Sequence, residues 1–245
     1  MMYTGINLML PTYRRVVNGM LPRMLSSIVK TATNLKGIFL TLLVNSDDQE
    51  SLSFLREYDY SMFGGRQVLV NNDTAEPHLA RFYNVMYAKS KFSHPANLVS
   101  MIGDDMYFVT SGWDVGIITA MNEHKGVALV YLNDGGRHGH RLCVNLFTSR
   151  LVVDATEAPF MLPNIRMNVI DSAWMALALT GKFAVYLKKF ILYHDHSSLR
   201  PSALRDVTYR RLRKHLTYAP HHRDQIRQYV ASSISHMKAK GLLCK

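Results

Sequence analysis

The segment MIGDDMYF, residues 101–108, sets two adjacent acids, Asp104 and Asp105, between two apolar runs. A carboxylate buried there without a partner is strongly unfavourable, so the pair must meet a cation, a donor or water. Three other stretches carry side chains suited to similar work. SDDQES (46–51) offers Asp47 and Asp48, NVIDSAW (168–174) offers Asp171, and YHDHSS (193–198) offers His194 and His196. Carboxylates and imidazoles together can hold a divalent cation. A single placed carboxylate can also take the proton of a hydroxyl. Each has a bland alternative. Asp104 and Asp105 could form a turn or a helix N-cap, Asp171 could be a helix-start acid favoured by the macrodipole, and the histidines could sit at the surface. The loop GGRHGHR (135–141), with His138 and His140, reads better as a mobile substrate- or phosphate-contacting lid than as a metal site.

The elements that must position these groups follow from the apolar pattern. INLML (6–10) reads as a strand ended by PTYRR, and NGMLPRMLSSIVKTA (18–32) as a helix with Asn18 as N-cap. GIFLTLLVN (37–45), RQVLVNN (66–72) and NLVSMIG (97–103) read as strands, with SDDQES a polar loop. EPHLARFYNVMYAKS (76–90) puts Leu79, Phe82, Tyr83, Met86 and Tyr87 on one helical face. Next come a helix at 112–123, a strand at 126–134, further strand over 142–155, a helix at 168–182 ended at Gly181, and a strand over 183–198. Continuous rather than alternating apolar strands, interleaved with helices, predict an α/β fold with a mostly parallel sheet covered on both faces. In such folds ligands bind beyond the carboxyl ends of the strands. PTYRR, SDDQES, NNDTAEP and GDDM all fall there, which makes them one candidate site.

Composition bounds the function class. The 245 residues are 48% hydrophobic and 19% charged, as in a globular protein with a sizeable core. Two cysteines, Cys143 and Cys244, make no disulfide framework, so a reducing, cytoplasmic setting is expected. The start has no basic segment before its apolar run and reads as a first strand, not a leader. No apolar stretch approaches the ~20 residues of a membrane span. Of the formal net charge of +11, residues 201–245 contribute +8, with ten Lys or Arg against two acids. This predicts a domain over 1–200 and a basic helical extension over 201–245. Such an extension suits a polyanion, nucleic acid or an acidic membrane surface, unless it is only a solvated helix.

The order of these motifs over residues 5–198 resembles a nucleotide-sugar glycosyltransferase of the GT-A fold, near the large inverting family of bacterial and viral polysaccharide synthases. The resemblance implies contacts to the nucleotide-sugar from Pro11, Thr12, Tyr13 and Arg14 in PTYRR, and from Asp47 or Asp48 in SDDQES. Arg81 in NNDTAEPHLARFYNVMYAKS is similarly implied to contact the donor, although the family's Asn is either replaced by Phe82 or shifted to Asn84. GDDM matches the Asp-x-Asp strand end with a departure, because Gly103 takes the first Asp position and Asp105 the second. The resemblance therefore implies Asp105 as the metal ligand, assisted by His194 or His196, with Asp104 contacting the ribose or supporting Asp105 from behind. Asp171 matches the catalytic base. The implied cofactor is Mn2+ or Mg2+, and the implied donor is a UDP-sugar.

The acceptor is read from the extension. Arg205, Arg210, Arg211, Arg213 and Lys214 are interleaved with Tyr209 and Tyr218, a pattern that suits a phosphate backbone. Compact basic GT-A enzymes resemble the bacteriophage transferases that place sugars on hydroxymethylated pyrimidines, so DNA is the expected acceptor. The alternatives are a glycan or lipid-linked acceptor at a membrane surface, and a non-catalytic nucleic-acid-binding protein. A third reading takes GDD as the metal-binding acids of a polymerase palm, but 245 residues leave no room for fingers and thumb.

Overall fold

The computed structural model describes residues 2–72, 79–90, 97–136, 138–162, 170–195 and 221–244. Eight strands form one sheet: β1 (Ile6–Thr12), β2 (Ile38–Asn45), β3 (Gly65–Asn71), β4 (Leu98–Met101), β5 (Met106–Phe108), β6 (Leu129–Asn133), β7 (Leu146–Ser149) and β8 (Ala184–His194). Their order is β3-β2-β1-β4-β7-β6-β8-β5. The β3-β2-β1-β4 half is parallel, as is the β6–β8 pair. Strand β7 runs antiparallel to both β4 and β6, and β5 runs antiparallel to β8. The sheet is therefore mostly parallel, as the continuous apolar strands predict.

Helices α1 (Met20–Thr31), α2 (Gln49–Glu57), α3 (Leu79–Lys89), α4 (Trp113–Glu123), α5 (Arg150–Ala155), α6 (Ile170–Thr180) and α7 (His221–Ala239) cover the two faces. Each face has its own core. Ile6, Leu8 and Leu10 of β1 pack with Leu21, Leu25 and Ile28 of α1 on one side. Met9 packs with Phe82 and Tyr83 of α3 and Trp174 of α6 on the other. β1 is buried at all seven positions because both faces are covered. Among the described residues no helix is long and apolar enough to cross a membrane.

Three local readings are revised. The expected N-cap Asn18 lies one residue outside the helix: Gly19 takes the cap position in a left-handed conformation, φ 72°. Asn18 still accepts a hydrogen bond from the Met20 N–H at 3.2 Å. The loop SDDQES is half helix, because the Asp48 carboxylate accepts from Ser51 N–H and starts α2. The 142–155 run is not one strand. Ser149 accepts from Val152 N–H and turns the chain into α5, while the Asn145 amide pairs with both backbone groups of Leu132 in place of a regular ladder.

α7 packs against α6 and α5. Its Tyr229, Val230 and Met237 belong to the same core as Trp174, so this part of the basic C-terminal stretch is structural. The proposed contacts Arg205, Arg210, Arg211, Arg213 and Lys214 lie outside the described residues.

Candidate active site

The carboxyl ends of β1, β2, β4, β6 and β8 bring the sequence-predicted residues to one edge of the sheet. Pro11 and Thr12 end β1, and both are buried. Thr12 Oγ1 is enclosed and has no hydrogen-bond partner among the described residues, leaving a polar atom to offer a ligand. The next residue, Tyr13, donates its hydroxyl to Asp47 Oδ2 across the β1–β2 gap at 2.9 Å. Arg14 adopts a left-handed φ of 55°. This turns its backbone N–H to Asp48 Oδ2 at 2.6 Å, while its guanidinium stands 3.7 Å from Asp47 and 5.0 Å from the Tyr13 ring centre. The two neighbouring acids have different tasks. Asp48 is buried, with both oxygens committed to backbone N–H groups. Asp47 is the exposed partner, its side chain 39% accessible.

Beyond β4 the chain turns through Gly103, where a Cβ would collide with Asp105 Oδ1. The absence of a side chain at Gly103 thus leaves room for the Asp105 carboxylate. Tyr83 of α3 supports this turn by donating to Ile102 O at 2.7 Å. Burial and the charges of Asp104 and Asp105 push the Tyr83 hydroxyl far above its ordinary pKa, so it remains a neutral donor.

Asp104 and Asp105 are both buried but face different partners. Asp104 Oδ1 is 3.4 Å from Arg15 Nε. Asp105 Oδ2 is 3.5 Å from His194 Nε2 at the end of β8. The backbone locks this second pair: Asp195 N–H donates to Asp105 O at 2.9 Å and His194 N–H to Asp134 O at 3.4 Å. Arg23 of α1 then holds the Asp195 carboxylate at 2.9 Å. His196 lies outside the described residues.

Asp134 closes β6 and holds the loop that follows. Its carboxylate accepts from Gly136 N–H at 3.2 Å, His138 N–H at 2.9 Å and Gly139 N–H at 3.2 Å. Gly135, with φ 87°, lies against the Tyr193 ring, where a side chain would not fit. The loop read as a mobile lid is therefore tied at its root. Asp171 lies in the first turn of α6, and its Oδ1 accepts from Ser172 N–H at 2.8 Å. The surrounding protein displaces water and pushes this carboxyl up to about 6, although nearby Ser172 and the charge of His194 act the other way. Cys143 donates its thiol to Asp171 O at 3.3 Å, and burial pushes that thiol up and keeps it unreactive. Arg81 is on the exposed side of α3.

Among the described residues no three His, Cys, Asp or Glu side chains gather as a complete metal cage. Asp105 and His194 offer one hard oxygen and one imidazole nitrogen. That donor set fits Mg2+ or Mn2+ held by few protein groups, with remaining positions filled by phosphate oxygens and water. Sequence reasoning missed Arg15, Arg23, Asp134 and Asp195. Two signals were available: Arg15 completes PTYRR, and Asp195 sits between the two histidines of YHDHSS.

No protein-family description matches the chain, and no curated protein sequence does. Solved structures do match. The 1–349 portion of TarS from S. aureus superposes with a TM-score of 0.62 at 10% identity, over 96% of this chain and 72% of that one. The same TarS portion in complex with UDP gives 0.55 at 10% identity, over 76% and 60%. The mannosyltransferase PcManGT of Pyrobaculum calidifontis, in complex with GDP-Man and Mn2+, gives 0.57 at 8% identity over 99% and 76%. At such identities the likeness is one of fold. The α/β architecture is that of the GT-A-like glycosyltransferases.

Proposed function

We propose that the chain is a metal-dependent glycosyltransferase that moves a sugar from a nucleotide-sugar, UDP-linked in the simplest case, to a hydroxyl with inversion. The observation that carries the reading is the meeting of Asp105 with His194 at 3.5 Å, beyond the carboxyl ends of β4 and β8. The Tyr13–Asp47 pair lies beyond β1 and β2 on the same edge. TarS with UDP and PcManGT with GDP-Man and Mn2+ share the fold and add support.

In this reading the β1–β2 side, with Pro11, Thr12, Tyr13, Arg14 and Asp47, receives the nucleoside. Asp48 braces it from behind, Asp104 supports Asp105, and Arg81 contacts the donor. Asp105 and His194, with His196 as a further candidate, would hold Mn2+ or Mg2+. The cation would neutralise charge growing on the diphosphate leaving group. Asp171 takes the acceptor hydroxyl's proton as its oxygen bonds to the anomeric carbon. The bond from that carbon to the diphosphate breaks on the opposite face, and the electron pair leaves with the nucleoside diphosphate. A carboxyl raised to about 6 is a better base than an ordinary one and is still ionised at neutral pH.

For the acceptor we favour hydroxymethylated pyrimidine DNA of bacteriophage type, supported by the ten Lys or Arg against two acids in residues 201–245. A base must leave the stack to reach a recessed site. Phosphate contacts from Arg205, Arg210, Arg211, Arg213 and Lys214 would help offset that. Because α7 belongs to the core, the test neutralises these five residues to Gln rather than truncating the chain. UDP-sugars and GDP-sugars are screened with Mn2+ against hydroxymethylpyrimidine DNA, glycans and lipid-linked acceptors. Transfer to the DNA that is lost in the neutralised variant supports the full reading. Transfer to a glycan or lipid alone keeps the transferase and removes the DNA claim, and no transfer or hydrolysis of any donor overturns the enzyme reading.

A further inference from the structure

The two groups proposed to face the cation each have an acid beside them in the chain. Asp104 precedes Asp105, and Asp195 follows His194. Both extra acids are buried, at 7% and 4% exposure, and Asp195 N–H donates to Asp105 O, so four site groups fall within two short turns. Hard divalent cations recruit carboxylate oxygens readily, and the number of charged ligands sets their affinity. Each extra acid also meets an arginine, Arg15 just after β1 and Arg23 on α1. Arg15 Nε meets Asp104 Oδ1 at 3.4 Å, both side chains almost fully enclosed. Arg23 Nη2 meets Asp195 Oδ2 at 2.9 Å, with its guanidinium carbon 4.3 Å from the centre of the Tyr107 ring.

We propose that Arg15 and Arg23 are positioning residues that hold Asp104 and Asp195 out of the cation's coordination shell, so that one carboxylate and one imidazole remain. The inference rests on the donor-site reading above and adds a role for two residues outside the predicted site. A cation held by so few protein groups depends on the diphosphate for its other ligands. The arginines therefore make metal binding conditional on nucleotide, and Arg15 directly follows Tyr13 and Arg14 in the chain. A guanidinium suits this role, because its charge is permanent and the Arg23–Asp195 contact at 2.9 Å is a charge-assisted hydrogen bond.

The test is titration of the full chain with Mn2+ alone, following free Mn2+ by electron paramagnetic resonance. Arg15→Gln and Arg23→Gln should each bind Mn2+ about tenfold more tightly than the parent without nucleotide, through the released carboxylate. The doubles Arg15→Gln/Asp104→Asn and Arg23→Gln/Asp195→Asn should return to parental affinity. A merely structural role would weaken binding or leave it alone, so cooperatively melting single variants with no gain overturn the proposal. Should the single variants fail to fold, Asp104→Asn and Asp195→Asn in the arginine-intact chain decide it. Unchanged Mn2+ affinity supports the proposal, and a tenfold loss shows that these acids ligate and overturns it. Asp105→Asn separates this inference from the reading beneath it. If that variant binds Mn2+ with UDP as tightly as the parent, the donor site itself is misassigned.

Discussion

The imidazole of His194 stands 3.5 Å from the carboxylate of Asp105, although they are 89 positions apart in the chain. Two parts of the sheet meet there. Strand β8 runs past β6 to pair with the short β5, and Met106 lies opposite His194 in that pairing. Fixing β5 against β8 fixes the turn before β5, so the distance is set by backbone register and not by two long side chains reaching across a cleft.

Asp105→Ala should therefore abolish Mn2+-dependent UDP binding while leaving a cooperative melt. Calorimetric titration with UDP, with and without Mn2+, measures this. Parental affinity in the variant would remove Asp105 from the site.

The two acids after β2 should separate cleanly. Asp47 is exposed, and ion pairs such as Arg14–Asp47 contribute little to stability. Asp47→Asn should leave the melting temperature within error and weaken UDP binding. Asp48 caps α2 and holds Arg14 N–H, so Asp48→Ala should lower stability by at least ~1 kcal/mol. Chemical denaturation with a parallel UDP titration distinguishes them, and equal effects on both readouts would deny the division.

Much of this arrangement was legible because it depends on local pattern. Apolar runs such as IFLTLLVN mark strands covered on both faces, and polar residues at their carboxyl ends mark the rim of a site. What escaped the sequence depends on tertiary partners. Nothing near Arg23 announces Asp195, 172 residues away. Ser149 looks like any strand serine until its hydroxyl is seen accepting from Val152 N–H and starting α5. The basic stretch was misleading in another way. Charge dominates its composition, yet the widely spaced Tyr229, Val230 and Met237 place α7 in the core.

Asp171→Asn should lower turnover by ~10²–10⁴-fold with donor binding retained, as expected when a positioned base is lost. Single-turnover transfer, alongside UDP titration, is the measurement. Near-parental turnover would return Asp171 to the role of a helix-start acid.

The pH dependence of Asp171 supplies a stability test that needs no acceptor. Its carboxyl is raised to about 6, first of all by burial, whereas an aspartate in the unfolded chain titrates near ~3.9. The folded state thus holds this proton more tightly than the unfolded chain does. The resulting contribution to stability is fully present below the unfolded value and is lost as pH rises through about 6. Above that, the enclosed charge weighs against folding by an amount on the order of 2–3 kcal/mol. Asn keeps the shape and never ionises, so Asp171→Asn should be more stable than the parent at pH 8. The two melting temperatures should converge as pH falls below ~4. Turnover of the parent should follow the opposite course, rising as pH passes 6 because only the carboxylate accepts a proton. A variant gaining stability and losing turnover over the same pH interval would mark Asp171 as an acid kept in an unfavourable place for its chemistry. An Asp171→Asn chain that melts below the parent at pH 8 would instead show the carboxylate serving the fold.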